Sequence, residues 1–130
     1  MSIRVLVVED EPLLAFDIAQ HLEGAGFEIV GPAASVRCAL RLIGDIGCDA
    51  AVLDVNLGPE TAEAVADELL RRGTPFLILS GYSRDQHPPI FHSVPSLTKP
   101  ARPGDVIALL KRLTAALPFN GKQTPDLASI

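Results

Sequence analysis

Basic clusters are missing from this chain: its 11 lysines and arginines form no run longer than a pair, as at Arg71-Arg72 and Lys111-Arg112. With 16 acidic residues and a net charge of −5, it lacks the positive patch on which direct binding to nucleic acid leans. Long apolar runs are missing too, none approaching the roughly 20 residues of a membrane span. The start, Met1-Ser2-Ile3-Arg4, enters an apolar segment at once, without the layout of a signal peptide. No membrane contact and a cytoplasmic location are therefore expected. Cysteine is scarce, and Cys38 and Cys48 stand in no metal-ligand or redox spacing. They are expected as small buried or half-buried thiols in a reducing compartment.

What is present fits one globular domain. In 130 residues, 48% are hydrophobic and 21% charged, enough to bury a core. The runs Ile3–Val8, Phe27–Val30, Ala50–Leu53 and Phe76–Leu79 have strand length. Helical stripes alternate with them. Leu14, Ile18 and Leu22 follow Pro12 and stop at Gly24/Gly26; Val36, Ala39, Leu40 and Ile43 follow Ser35 as N-cap. Ala62, Val65, Ala66 and Leu69 end at Gly73; Val106, Leu109, Leu110, Leu113 and Leu117 end at Pro118. Such alternation predicts βαβ units and a parallel sheet.

One stretch breaks the pattern. Between Tyr82 and Pro95 the dipeptide Pro88-Pro89 interrupts any helix begun at Ser83, so a fourth helix is expected to be short, irregular or absent. A fifth strand near Val94–Thr98 carries Pro95, which a sheet edge or strand start tolerates. Phe16 and Phe27 read as core, His21 as a surface residue of a helix, and His87 and His92 as solvated loop residues.

The chemistry gathers where strands end. Glu9, Asp10 and Glu11 follow the first strand, Asp54 the third, Ser80 the fourth and Lys99 the fifth. In an open parallel sheet these carboxyl ends share one edge, so residues about 45 positions apart meet there. Acids beside Pro12 also suit a helix N-terminus. With Asp54 next to them the balance changes, because two carboxylates about 4 Å apart repel by roughly 4 kcal/mol at an effective dielectric near 20. Such a cluster calls for a cation, and oxygen ligands without His or Cys suit Mg²⁺, or Mn²⁺ in its place. Asp54 is then a candidate nucleophile for a phosphoryl group, with Asp10 sharing the metal, Lys99 neutralising one phosphoryl oxygen and Ser80 donating to another.

The segments Val7-Val8-Glu9-Asp10-Glu11, Leu53-Asp54-Val55-Asn56, Ser80-Gly81-Tyr82 and Lys99-Pro100 resemble the receiver domain of bacterial two-component response regulators, over residues 3–117. The resemblance implies a flavodoxin-like (βα)5 three-layer α/β fold with strand order 2-1-3-4-5. The stretch after Pro118 has no periodicity, so 1–118 is expected as the domain and 119–130 as a flexible tail. The resemblance further implies Asp54 as phosphoacceptor, with Asp10, Asp54 and the Asn56 carbonyl as metal ligands. Glu9 then acts through water, Ser80 as the switch hydroxyl, Lys99 as the phosphate partner, and Lys99-Pro100 is cis.

Departures accompany it. Val55-Asn56-Leu57-Gly58-Pro59-Glu60 replaces the usual Met-Pro turn, and Ser96 stands where an aromatic switch residue is usual. Tyr82 is instead the nearby aromatic, a candidate switch and output residue. With Pro75-Phe76 and the eroded fourth helix, Ser80-Gly81-Tyr82 resembles a subgroup of stand-alone receivers frequent in alphaproteobacteria. In that subgroup Phe-Ala-Thr normally precedes Gly-Tyr; here Ile78-Leu79-Ser80 does.

The function expected is a phosphorylation-dependent signalling switch, fed by a histidine kinase or histidine-phosphotransfer protein. It catalyses only its own phosphorylation and dephosphorylation. Output passes to a downstream protein partner through the mobile 83–95 segment, and a homodimer is compatible. Two alternatives stay open: a non-phosphorylated binding module, and an aspartyl-nucleophile phosphatase. The second lacks the usual acid two residues after Asp54, where Asn56 stands.

Overall fold

Five parallel strands form one sheet, in the order Glu28–Ala33, Arg4–Val8, Ala50–Asp54, Phe76–Ser80 and Ser96–Thr98. The computed structural model describes residues 2–81, 87–115 and 117. The strands are β1 (Arg4–Val8), β2 (Glu28–Ala33), β3 (Ala50–Asp54), β6 (Phe76–Ser80) and β7 (Ser96–Thr98). Counted among themselves they run 2-1-3-4-5, the expected flavodoxin-like order. The register is continuous through the centre, with Val8 beside Leu53 and Asp54 beside Leu79.

Both faces of the sheet are covered, which is why its strands read as near-continuous apolar runs. Side chains alternate across a strand. Val5, Val7, Ala50, Val52, Leu77 and Leu79 meet Ile18 and Leu22 of α1 (Pro12–Gly24) and Val106 and Leu110 of α4 (Pro103–Thr114). Leu6, Val8, Ala51, Leu53 and Ile78 meet Ala39 and Ile43 of α2 (Val36–Asp45) and Val65, Ala66 and Leu69 of α3 (Glu63–Arg72). Each fully buried leucine or valine contributes about 1.5–3 kcal/mol relative to exposure.

The helix ends follow from local chemistry. Pro12 and Pro103 open α1 and α4 at the first turn, where a missing N–H costs nothing. The Ser35 side chain accepts the Cys38 N–H at 3.1 Å, capping α2 as expected. Gly73 closes α3 at φ 71°, a left-handed conformation that favours glycine. No helix among the described residues is long and apolar enough to cross a membrane.

Between β6 and β7 the described residues contain no α-helix, only a 3-10 turn over Pro89–Phe91. Pro88-Pro89 accounts for it, as expected. Strand β7 begins directly after Pro95 and lies at the sheet edge. Lys99-Pro100 is cis, as the resemblance implied, and so is Gly31-Pro32. Cys38 and Cys48 are half-buried free thiols.

Several expectations fail. Phe16 is 61% exposed. The buried face of α1 is Ala15, Ile18, Ala19 and Leu22, and Phe16 stands about 100° round the helix from Ala15. Leu40 is exposed for the same reason, since α2 turns Ala39 and Ile43 inward. The last stripe overruns its helix, because α4 ends at Thr114 and leaves Leu117 beyond it, half-buried. A hairpin not foreseen, β4 (Asn56–Leu57) with β5 (Glu60–Thr61), turns over Gly58-Pro59 directly after β3. His87, expected in solvent, is 6% exposed; His92 and His21 are exposed as expected. Tyr82, residues 83–86, Pro118 and the tail over 119–130 lie outside the described residues.

Candidate functional site

The carboxyl ends of β1, β3, β6 and β7 deliver Glu9, Asp10, Asp54, Ser80 and Lys99 to one edge. Backbone pairing fixes their spacing. Val55 N–H donates to the Leu79 carbonyl at 3.1 Å, and Lys99 N–H donates to the Ser80 carbonyl at 2.9 Å. Glu9 N–H donates to the Ala33 carbonyl at 2.9 Å. Asp54 and Ser80 thus end strands of the ladder, and Glu9 and Lys99 stand one residue beyond theirs, tied to it by these bonds.

Lys99 Nζ sits 2.9 Å from Asp54 Oδ2 and 3.5 Å from Glu9 Oε1. The other Asp54 oxygen, Oδ1, accepts the Asn56 N–H at 3.1 Å. Glu9 Oε2 accepts the Glu11 N–H at 3.1 Å. Glu9 and Asp54 are buried, whereas Asp10 faces solvent. One carboxylate oxygen from each of Glu9, Asp10 and Asp54 lies within 4.8 Å of the others. Gly58, in the turn of the hairpin, comes close to the same group: a Cβ there would stand 3.6 Å from Asp10 Oδ2.

One ammonium among three carboxylates leaves an excess of negative charge. At such spacing each ionised pair repels by roughly 3–4 kcal/mol at an effective dielectric near 20. The excess is felt by Glu9: burial, with the Asp54 charge adding to it, pushes its carboxyl up to about 7 against the Glu11 N–H and Lys99. Partial burial pulls the Lys99 ammonium down, but the hydrogen bond and charge of Asp54, and then Glu9, outweigh it and hold it above its ordinary value. A cation among these oxygens would remove the repulsion. The donors are all hard oxygens, so Glu9, Asp10 and Asp54 could hold a metal ion.

Ser80 is buried, and its Oγ lies 2.8 Å from His87 Nε2. The sequence reading overlooked His87. A histidine inside an aperiodic segment carries no burial signal of its own; its one clue is the apolar Pro88-Pro89-Ile90-Phe91 that follows. The structure therefore gathers Glu9, Asp10, Asp54 and Lys99, adds Ser80 through the β6–β7 ladder, and places Asn56 beside Asp54 through its N–H.

Comparison with known proteins gives relatives along most of the chain, although no family model matches it. The solution structure of SdrG from Sphingomonas melonis Fr1 is 39% identical, with a TM-score of 0.74; the match covers 86% of this chain and 96% of that one. A CheY-like response regulator receiver domain from Methanospirillum hungatei JF-1 shares the fold at 22% identity and a TM-score of 0.77, covering 86% of this chain and 93% of that one. The phyllosphere-induced regulator PhyR of Methylorubrum extorquens is 27% identical over 120 residues, which are 86% of this chain and 43% of the relative. The chain spans about two fifths of the length of the curated relatives it matches.

Proposed function

The chain belongs to the receiver domains of response regulators, among relatives that include SdrG and PhyR, and from that premise we propose that Asp54 accepts a phosphoryl group from a phosphohistidine. The observation that carries this reading is Lys99 Nζ on Asp54 Oδ2 at 2.9 Å, with oxygens of Glu9 and Asp10 within 4.8 Å of Asp54. A buried carboxylate held by an ammonium and a backbone N–H is a fixed, oriented nucleophile.

In the proposed step an Asp54 oxygen attacks phosphorus and the phosphorus–nitrogen bond to the donor imidazole breaks. The imidazole leaves as the neutral ring, taking its proton from solvent where needed. Asp10, Asp54 and the Asn56 carbonyl would hold Mg²⁺, with Glu9 acting through water; the ion supplies charge neutralisation for phosphoryl transfer. Lys99 passes from the Asp54 carboxylate to a phosphoryl oxygen, and Ser80 donates to another. The added charge, roughly −1.5 to −2 for phosphorylated residues in general, reorganises the β6 end and the segment after it. Output then runs through protein contacts, Tyr82 being the proposed switch residue. A histidine kinase or phosphotransfer protein is the proposed donor, and the chain acts catalytically on itself alone. Asn56, an amide where an aspartyl phosphatase needs an acid, cannot protonate a leaving group.

The test is intact mass after incubation with acetyl phosphate and Mg²⁺. Wild type should gain one phosphoryl group and Asp54→Asn none. No adduct on wild type, after rapid quenching, would replace this reading with a binding module that keeps the fold for contacts only.

A further inference from the structure

Five polar side chains are buried among the described residues: Glu9, Asp54, Ser80, His87 and Thr114. Three belong to the site above, and Thr114 donates to the Leu110 carbonyl within its own helix at 2.8 Å. His87 is left. Its Nε2 lies 2.8 Å from Ser80 Oγ, and its Nδ1 is buried with no partner among the described residues. Its ring meets Phe91 edge to face, with centroids 6.4 Å apart. Phe91 is sealed in the core cluster that includes Val55 and Leu57, either side of Asn56. The exposed His92 holds the segment from outside, its Nε2 lying 2.9 Å from the His87 carbonyl oxygen.

The unmatched nitrogen fixes the direction of the Ser80–His87 bond. A neutral imidazole carries its hydrogen on one nitrogen or the other. On Nδ1, that hydrogen would be a buried donor without an acceptor. On Nε2 it meets Ser80 Oγ, and only a lone pair at Nδ1 goes unmatched. Orphaned buried N–H groups are the rarer and costlier outcome, so Nε2–H donates and Ser80 Oγ accepts. A hydroxyl that accepts from the ring cannot turn its own hydrogen toward it.

We propose that His87 is a positioning residue of the phosphoryl site: it donates to Ser80 Oγ and so directs the Ser80 hydroxyl hydrogen to an oxygen of the phosphoryl group on Asp54. No proton is transferred; the effect is orientation alone. The proposal rests on the reading of Asp54 as acceptor. It also gives Ser80 a mechanical link, because His87 leans on Phe91 and any shift of the hydroxyl presses on the 3-10 turn.

The experiment compares phosphorylation rates with acetyl phosphate and Mg²⁺ for wild type, His87→Leu, His87→Gln, Ser80→Ala and the Ser80→Ala/His87→Leu double variant. His87→Leu should slow phosphorylation by about three- to tenfold, the size of one neutral hydrogen bond. His87→Gln, which keeps an N–H donor, should stay within about twofold of wild type. In the Ser80→Ala background His87→Leu should change nothing further. On the unaltered protein, ¹⁵N spectra of the imidazole should place the hydrogen on Nε2. An equal loss with and without the Ser80 hydroxyl, or a hydrogen on Nδ1, overturns the proposal while Asp54 phosphorylation stands. Wild type that takes no phosphoryl group overturns the acceptor reading first, and this proposal with it.

Discussion

Glu9 is the residue at which the crowding of negative charge can be measured. Its carboxyl is raised by burial from 4.5 to about 7, while in the unfolded chain it keeps the ordinary value. Between those two values the folded state binds more protons than the unfolded state. Stability linked to Glu9 is therefore fully present below about pH 4.5 and is lost as the pH rises toward 7. Urea unfolding of protein stripped of divalent metal should show a lower midpoint near pH 7.5 than near pH 5.5. Glu9→Gln should flatten that part of the slope, and an unchanged slope in the variant would refute the assignment to Glu9. At this scale the sequence was a good guide wherever a residue ended a strand. Asp10, Asp54, Ser80 and Lys99 could be placed because strand ends are periodic landmarks. His87 could not, since its burial depends on Phe91 docking into the core from an aperiodic segment. Phe16 failed for another reason: Leu13, Leu14, Ala15 and Phe16 are consecutive apolar residues, so the phase of the helix is ambiguous there.

Among the elements, the β4–β5 hairpin is the part that periodicity could not reveal. Two residues a side are too few to alternate, and the visible sign was only Gly58-Pro59 between Leu57 and Glu60. The hairpin nevertheless bears on the site. Gly58 has φ 65°, and a Cβ would approach Asp10 Oδ2. Gly58→Ala should cost roughly 1 kcal/mol in urea unfolding, the penalty of a left-handed alanine. It should also weaken Mg²⁺ binding measured by calorimetry; a variant binding as tightly as wild type would show that Asp10 has room to move. Glu60 from the same hairpin accepts the Val36 N–H at 3.1 Å, adding a carboxylate at the start of α2, where the helix dipole favours it. The long elements were readable because each was an unbroken apolar run or stripe. The lack of an α-helix between β6 and β7 among the described residues was readable from Pro88-Pro89.

Taken whole, the molecule gathers its charged groups at the carboxyl edge of a sheet whose two faces carry the core. Ligands that bind only the folded state should therefore act on global unfolding. Mg²⁺ with beryllofluoride, a phosphoryl mimic, at about 100 times its dissociation constant contributes about 2.7 kcal/mol. That should raise the melting temperature by several degrees for a domain of this size. Asp54→Asn, which also loses a metal-ligand carboxylate, should respond more weakly to Mg²⁺ and not to beryllofluoride, and a response to beryllofluoride in that variant would place the mimic elsewhere.

The turns after α1, α2 and α3 carry none of the site residues, which stand at the opposite ends of the strands they feed. Chemistry and connection are thus segregated: even the turn after α2, held by Arg4 through Asp49 and the Ile46 carbonyl, lies at the edge away from the reacting groups. One rim of the sheet thus holds the reactive groups and the other the returns of the chain, so damage to a return turn reads out as lost stability before lost chemistry.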